Sequence, residues 1–332
     1  MLDLPLIWYG LIFTALFLYV LLDGFDLGVG ILFPFAPSDQ CRDQMMNSIA
    51  PFWDGNETFL VLSGGGLFAA FPLAYAILMP ALYMPVIMML LGLIFRGVSF
   101  EFRFKAVKSR FIWDYSFHFG SIVAAFMQGM ILGAFVRGVQ VHGRSFAGGP
   151  FDWLSAYSFM TGVALLFGYA LLGSTWMILK TDGMTRDWAR KCASYVLGYV
   201  GVFIAIVSIS MPVMNEGVRK LWFTLPNFCY LLPVPLITAA LFIIMWRDLR
   251  KSSDNPPFFL SVGIFLMCYI GWGISTWPWL VPFAVTFRQA AADSSSQSFL
   301  LAGTVVILPL VLCYIGWCYY LFRGKVSQEG YY

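Results

Sequence analysis

Nine apolar segments recur along this sequence, at about 5–35, 57–75, 76–96, 114–136, 153–179, 192–213, 227–246, 258–281 and 299–322. Each is close to the roughly 20 residues that a helix needs to cross a bilayer. In lipid the backbone must satisfy its own hydrogen bonds, and runs of this length do so as helices. Only 11% of the residues are charged, against about 25% in a soluble domain, so there is too little charge to cover a soluble globule. The sequence predicts an all-α, polytopic integral membrane protein, with 1–332 as a single transmembrane domain. The first run lacks a basic n-region and a small-residue cleavage site and reads as a retained helix. Its surplus length predicts tilt or a break near its glycines. Pro72, Pro80 and Pro85 predict that the second and third spans form a tight hairpin.

The basic residues set an orientation. Nine spans place alternate loops on opposite sides. Fifteen of the 20 Lys and Arg then fall on one side, among them Arg96, Arg103, Lys105, Lys108 and Arg110 in one loop, and five on the other. This puts the C-terminus in the cytoplasm and the N-terminus outside. Trp8, Trp113, Trp153, Trp222, Trp246, Tyr331 and Tyr332 stand near span ends, as an interfacial belt requires. A net charge of +3 scattered over short loops offers no basic face for nucleic acid.

Within the first span stands Asp23-Gly24-Phe25-Asp26-Leu27-Gly28-Val29-Gly30. A charged side chain at the bilayer centre costs about 2.5–3.5 kcal/mol even on the lenient insertion scale. Two carboxylates three residues apart share one helix face, and the glycines beside them let another helix approach. Such acids either fix packing through hydrogen bonds to a neighbouring helix or hold and pass protons. The segment Asn47-Ser48-Ile49-Ala50-Pro51-Phe52-Trp53-Asp54-Gly55-Asn56-Glu57 opens the second span from the same side. Glu57 reads either as a helix-start carboxylate that meets the dipole or as part of an acid path, and Asp54 more as part of that path. Glu101 with Lys105 reads either as an ordinary i,i+4 pair or as a proton-collecting antenna. Asp114 reads as a helix cap.

Other features are silent. The six cysteines form no CxxC pair and read as small buried hydrophobes. The two histidines, His118 and His142, have no ligand spacing, so no metal site is expected, and His118 reads as a hydrogen-bonded packing residue. Gly64-Gly65-Gly66 reads as a close helix contact and not as a phosphate loop. The residues alone leave three classes open: a secondary transporter of a cation or small metabolite, a proton-supplying subunit of a redox complex, and a membrane scaffold.

The Asp23–Gly30 and Asn47–Glu57 blocks, followed by Phe95-Arg96-Gly97-Val98-Ser99-Phe100-Glu101-Phe102-Arg103, resemble subunit II of the cytochrome bd-type quinol oxidases, in order and spacing. The shortness of the chain resembles the compact, cyanide-insensitive branch. The resemblance implies about nine helices in two four-helix bundles plus one peripheral helix, in a bacterial cytoplasmic membrane. It implies a heterodimer with subunit I, which carries haem b and haem d-type (or b-type) groups, oxidises ubiquinol or menaquinol and reduces O2 to water. This subunit would hold no haem. Some relatives hold a structural quinone or lipid in it, or add small single-helix accessory subunits. The resemblance assigns Asp54, Glu101 and Lys105 to a cytoplasmic proton path, with Asp23 and Asp26 near it; Glu57 is counted with that path from its place at the start of the second span. Some members carry aspartate where Glu101 stands, and others tryptophan at the position of Phe59, near a suggested oxygen channel.

Overall fold

A computed structural model describes residues 2–106, 108–251 and 253–326; Tyr331 and Tyr332 lie outside them. The chain is almost wholly helical. In order, the helices are α1 (Leu4–Leu32), α2 (Asp39–Ile49), α3 (Trp53–Ala70), α4 (Pro72–Arg103), α5 (Arg110–Arg137), α6 (Ala156–Lys180), α7 (Gly183–Met214), α8 (Glu216–Phe223), α9 (Asn227–Leu231), α10 (Pro233–Asp248), α11 (Pro256–Thr276), α12 (Phe287–Ala290) and α13 (Ser294–Leu321). Two small hairpins, β1 (Val141–His142) with β2 (Ser145–Phe146) and β3 (Trp279–Val281) with β4 (Val285–Thr286), cover one end.

Among the described residues, eight helices are long and apolar enough to cross a membrane. The ninth expected segment is α3, whose 18 residues carry Asp54, Asn56 and Glu57 in the first turns; these acids and the amide hold its apolarity below that of the others. A single residue, Phe71, separates α3 from α4, so the expected hairpin is present. The first helix runs unbroken through Gly24, Gly28 and Gly30, against the expected break.

The ends sort cleanly. Asp3 pairs with Arg288, Trp8 donates to the Gln297 carbonyl, and Gln297 and Ala292 donate to the Ala70 carbonyl, which gathers the starts of α1, α4 and α13. At the opposite end Lys180 donates to the carbonyls of Phe322 (2.5 Å) and Gly324 (3.3 Å), and Lys325 reaches Asp182 and Asp254. The tail after α13 is thus strapped across the ends of α6, α7 and α11. Alternate connections therefore lie at opposite ends, as the sequence pattern predicts.

The expected division into two bundles of four is approximate. Helices α1, α3, α4, α5 and α6 pack into one tight group, α7, α10 and α11 form a looser one joined through α6, and α13 lies against α3 and α1. Small residues explain the tightness. At the α1–α6 crossing Gly28 faces Gly173, where a Cβ on either would overlap the other helix's backbone. Without a hydrophobic drive between helices in lipid, such close backbone approach supplies the packing energy. Gly64 and Gly65 do not serve this purpose: nothing lies within 4 Å of a Cβ built on either, and only Gly66 touches a neighbour, Ile12. The cysteines also depart from expectation. All six are free thiols, but only Cys41 is buried, while Cys229, Cys268 and Cys313 face outward from apolar helices.

Candidate functional site

The acids of α1 close on a residue that the sequence reading had placed in a loop. Helix α4 runs past the expected limit of its apolar run and carries Arg96 and Arg103 within it, both 0% exposed. Arg96 Nη1 lies 2.6 Å from Asp23 Oδ1, and Nη2 pairs with Glu57 of α3. Asp23 and Asp26 are themselves fully buried. A buried arginine is tolerated only beside acids, because desolvating an unpaired charge costs several kcal/mol.

Asp26, one turn on, accepts from Asn56 Nδ2 at 2.7 Å. Asn56 also donates to the Leu22 carbonyl (3.3 Å) and accepts from the Tyr319 hydroxyl (2.9 Å), which ties α1, α3 and α13 together. The other oxygen of Asp26, Oδ1, is buried with no hydrogen-bond partner among the described residues. Asp23 and Glu57 thus pair with one guanidinium, and a third buried carboxyl, Asp26, lies one turn from Asp23 on α1. Such an excess of acid in low dielectric is met by a proton or another cation.

The remaining sequence-predicted residues sit at the rim. Glu57 keeps a quarter of its side chain exposed. Asp54 stands in the first turn of α3 on an exposed surface of the chain and is not in the buried cluster. Its neighbour Trp53 stacks on Phe100 (ring centroids 4.8 Å apart), the neighbour of Glu101, so the two acids flank one α3–α4 contact. Glu101 and Lys105 form an exposed i,i+4 pair at 3.5 Å.

Asp114 is not a cap. It accepts from Arg103 Nε at 2.5 Å, while Arg103 Nη1 holds Asp43 at 2.6 Å and Arg110 pairs with Asp43 as well. This network and Arg96 were missed because an arginine just past an apolar run looks like a loop residue. The signal that could have found them is the presence of acids in or beside apolar helices, Asp23 on α1, Asp43 on α2, Glu57 on α3 and Asp114 on α5, each of which needs a cation partner. His118 faces the Gly30 carbonyl through Nδ1 at 3.0 Å, a packing contact in keeping with the sequence reading. His142 lies in the β1–β2 hairpin, so the two histidines do not form a paired axial site for a haem. Among the described residues no group of three or more His, Cys, Asp and Glu is placed to hold a metal ion.

Long apolar helices around a largely buried acid–arginine cluster define a polytopic membrane protein. The chain belongs to the family of cytochrome bd terminal oxidase subunit II, whose model matches residues 4–322. It is 30% identical to cytochrome bd ubiquinol oxidase subunit 2 of Bacillus subtilis, over 97% of each chain. It is 29% identical to cytochrome bd-I ubiquinol oxidase subunit 2 of Escherichia coli K12, over 98% of this chain and 96% of that one. The fold matches the structure of bd oxidase from Geobacillus thermodenitrificans with a TM-score of 0.73 at 15% identity, covering 97% of this chain and 99% of that one. The protein is a membrane-embedded subunit of a terminal respiratory oxidase, an oxidoreductase complex in which a second subunit implies a first; the transporter alternative has no support.

Proposed function

We propose that this chain supplies protons to, and scaffolds, subunit I of a bd-type quinol:O2 oxidoreductase in a bacterial cytoplasmic membrane. Subunit I carries the haem b and haem d-type groups, which supply the electron-transfer and O2 chemistry. The quinol is ubiquinol, as in the names of the Bacillus subtilis and Escherichia coli relatives, or menaquinol. The Lys and Arg bias puts the Lys180 end in the cytoplasm and the Asp3 end outside.

In this reading Glu101 and Lys105 collect protons at the cytoplasmic rim. Asp54 and Glu57, at the start of α3, take them below the surface. Arg96 balances the charge, and Asp23 and Asp26 hold protons within the bundle. Asp54 faces outward from this chain, which leaves it open to the companion subunit. The observation that carries the reading is the acid excess around Arg96: Asp23 and Glu57 pair with one guanidinium, and Asp26, a turn from Asp23, keeps one buried oxygen without a hydrogen-bond partner among the described residues.

The test uses the assembled complex. Asp54→Asn and Glu57→Gln should each lower O2-dependent quinol oxidation at least tenfold while haem content stays intact. A positioned proton-transfer group speeds a reaction about 10²–10⁴-fold, and a loss as small as tenfold corresponds to a path in which another route remains. Normal turnover with a full haem complement in both variants would sink the proton role.

A further inference from the structure

The end of α10 carries positive charge that nothing in this chain balances. Elsewhere at the Lys180 end, acids hold the bases: Arg103 and Arg110 pair with Asp43, and Arg186, Arg190 and Lys325 with Asp254. Arg247, Arg250 and Lys251 are exposed, and none makes an ion pair among the described residues. The acid beside them in sequence, Asp248, is engaged elsewhere: Oδ1 accepts from the Ser253 hydroxyl at 2.9 Å, and Oδ2 is buried. Like charges three and four residues apart repel, so this cluster destabilises the helix end unless an anion meets it.

Its setting fits a lipid headgroup. The Arg250 guanidinium carbon lies 3.7 Å from the centroid of the Trp246 ring, and Trp246 is 48% exposed. The stack fixes one cation at the membrane–water boundary, where tryptophan prefers to sit. Leu236, Ala240 and Ile243 precede Arg247 and Arg250 at steps of four and three, which places all five on one helix face, and all five are exposed. An apolar stripe about 10 Å long thus ends in two guanidiniums. A guanidinium grips a phosphate through two parallel N–H···O bonds. A zwitterionic headgroup would bring an ammonium as well, and this surface has no acid free to receive it, while Arg250 already covers the Trp246 ring. A protein partner fits less well, because interface cores are poor in lysine.

We propose that the end of α10, from Trp246 to Lys251, binds the phosphodiester of an anionic phospholipid, with an acyl chain laid along Ile243, Ala240 and Leu236. The cations select the headgroup, and the stripe selects a lipid over free phosphate. The site takes no part in the proton route.

Native mass spectrometry of the whole oxidase in detergent, titrated with phosphatidylglycerol, reads the tightest bound lipid. A basic residue beside an anionic lipid contributes about fivefold in affinity. Arg247→Gln and Lys251→Gln should each weaken the adduct by that factor, and Arg247→Gln combined with Arg250→Gln by about 25-fold, with haem content and turnover unchanged. Phosphatidylcholine should bind the parent no better than it binds the double variant, and excess inorganic phosphate should not compete. Arg219→Gln combined with Lys220→Gln is the control, since Glu216 already pairs with both bases, and it should leave the adduct intact. Equal phosphatidylglycerol affinity in parent and double variant would overturn the site, as would equal affinity of the parent for the two lipids. Competition by free phosphate would assign the cations to a soluble anion instead. Loss of subunit I from the double variant would make this face a protein contact, and the lipid site would fall. Should the double variant not reach the membrane, the two single changes decide by the same ratio.

Discussion

Arg96 Nη1 sits 2.6 Å from Asp23 Oδ1, with both side chains sealed from solvent. The pair joins α4 to α1 in the middle of the tight helix group. Removing one partner of a buried ion pair leaves the other uncompensated and costs about 3–5 kcal/mol. Arg96→Leu should therefore abolish or sharply reduce recovery of haem-containing complex from membranes. Asp23→Asn in the same background should restore part of it, because the surplus acid is then smaller. Unchanged recovery in Arg96→Leu would remove Arg96 from the structural core of the site.

The α1–α6 crossing depends on hydrogen as a side chain. A methyl on Gly28 would overlap the Tyr169 carbonyl oxygen, which is backbone and cannot rotate away. Gly28→Ala should cost about 3 kcal/mol or more and lower the thermal stability of the detergent-purified complex. Gly64→Ala is the control: with open space around it and a gain in helix propensity of at most about 1 kcal/mol, it should be neutral or slightly stabilising. Equal melting temperatures for both variants would contradict the packing described.

Asn56 satisfies three elements at once, through Asp26, the Leu22 carbonyl and Tyr319. Asn56→Leu leaves a buried carboxyl and a buried hydroxyl without partners, at about 1–3 kcal/mol for each unmet group. The prediction is reduced stability together with slowed turnover, measured as residual quinol oxidation after graded heating. Wild-type behaviour in both would show that the amide is dispensable.

How far was this legible from sequence? The Asp23–Gly30 block announced both of its properties, acids on one face and glycines for close approach, since both follow from helical spacing. The rotation of α3 was not legible. Asp54 read as part of the acid path and stands outside the buried cluster, on the exposed surface of the chain, because a helix that is apolar on most sides gives no hydrophobic face from which to fix its azimuth. For the same reason Gly64 and Gly65 read as a contact and face open space. The end of α4 was misplaced because hydropathy scores Arg96 as a boundary, whereas the acids on α1 and α3 let the helix continue buried to Arg103.

The strap at the Lys180 end carries a pH dependence of known sign. Burial pushes the Asp254 carboxyl up, but the hydrogen bond from Lys325 and the charges of Lys325, Arg186 and Arg190 outweigh it and hold it below the usual carboxylate range. Its stabilising contribution is then full above the unfolded value of about 4 and is lost as pH falls through the folded one. For Lys325 burial lowers the ammonium, while Asp182 and Asp254 raise it further, so its contribution is full below about pH 10 and lost above. The tail should resist carboxypeptidase between these limits and yield outside them. Asp254→Asn should weaken that resistance at neutral pH and reduce its acid dependence, with Asp182 left as the acid on Lys325; an unaltered digestion profile would refute the strap.

The single-residue joint at Phe71 bears on how the chain is made. A segment that begins with Asp54, Asn56 and Glu57 enters hydrocarbon poorly when presented alone to the insertion machinery. Its successor is among the most apolar in the chain and follows without a spacer, so the two pass laterally into the bilayer as one unit. The ribosome has then to deliver both limbs before either partitions, which delays commitment of the polar limb until Arg96 has emerged to receive its carboxylates.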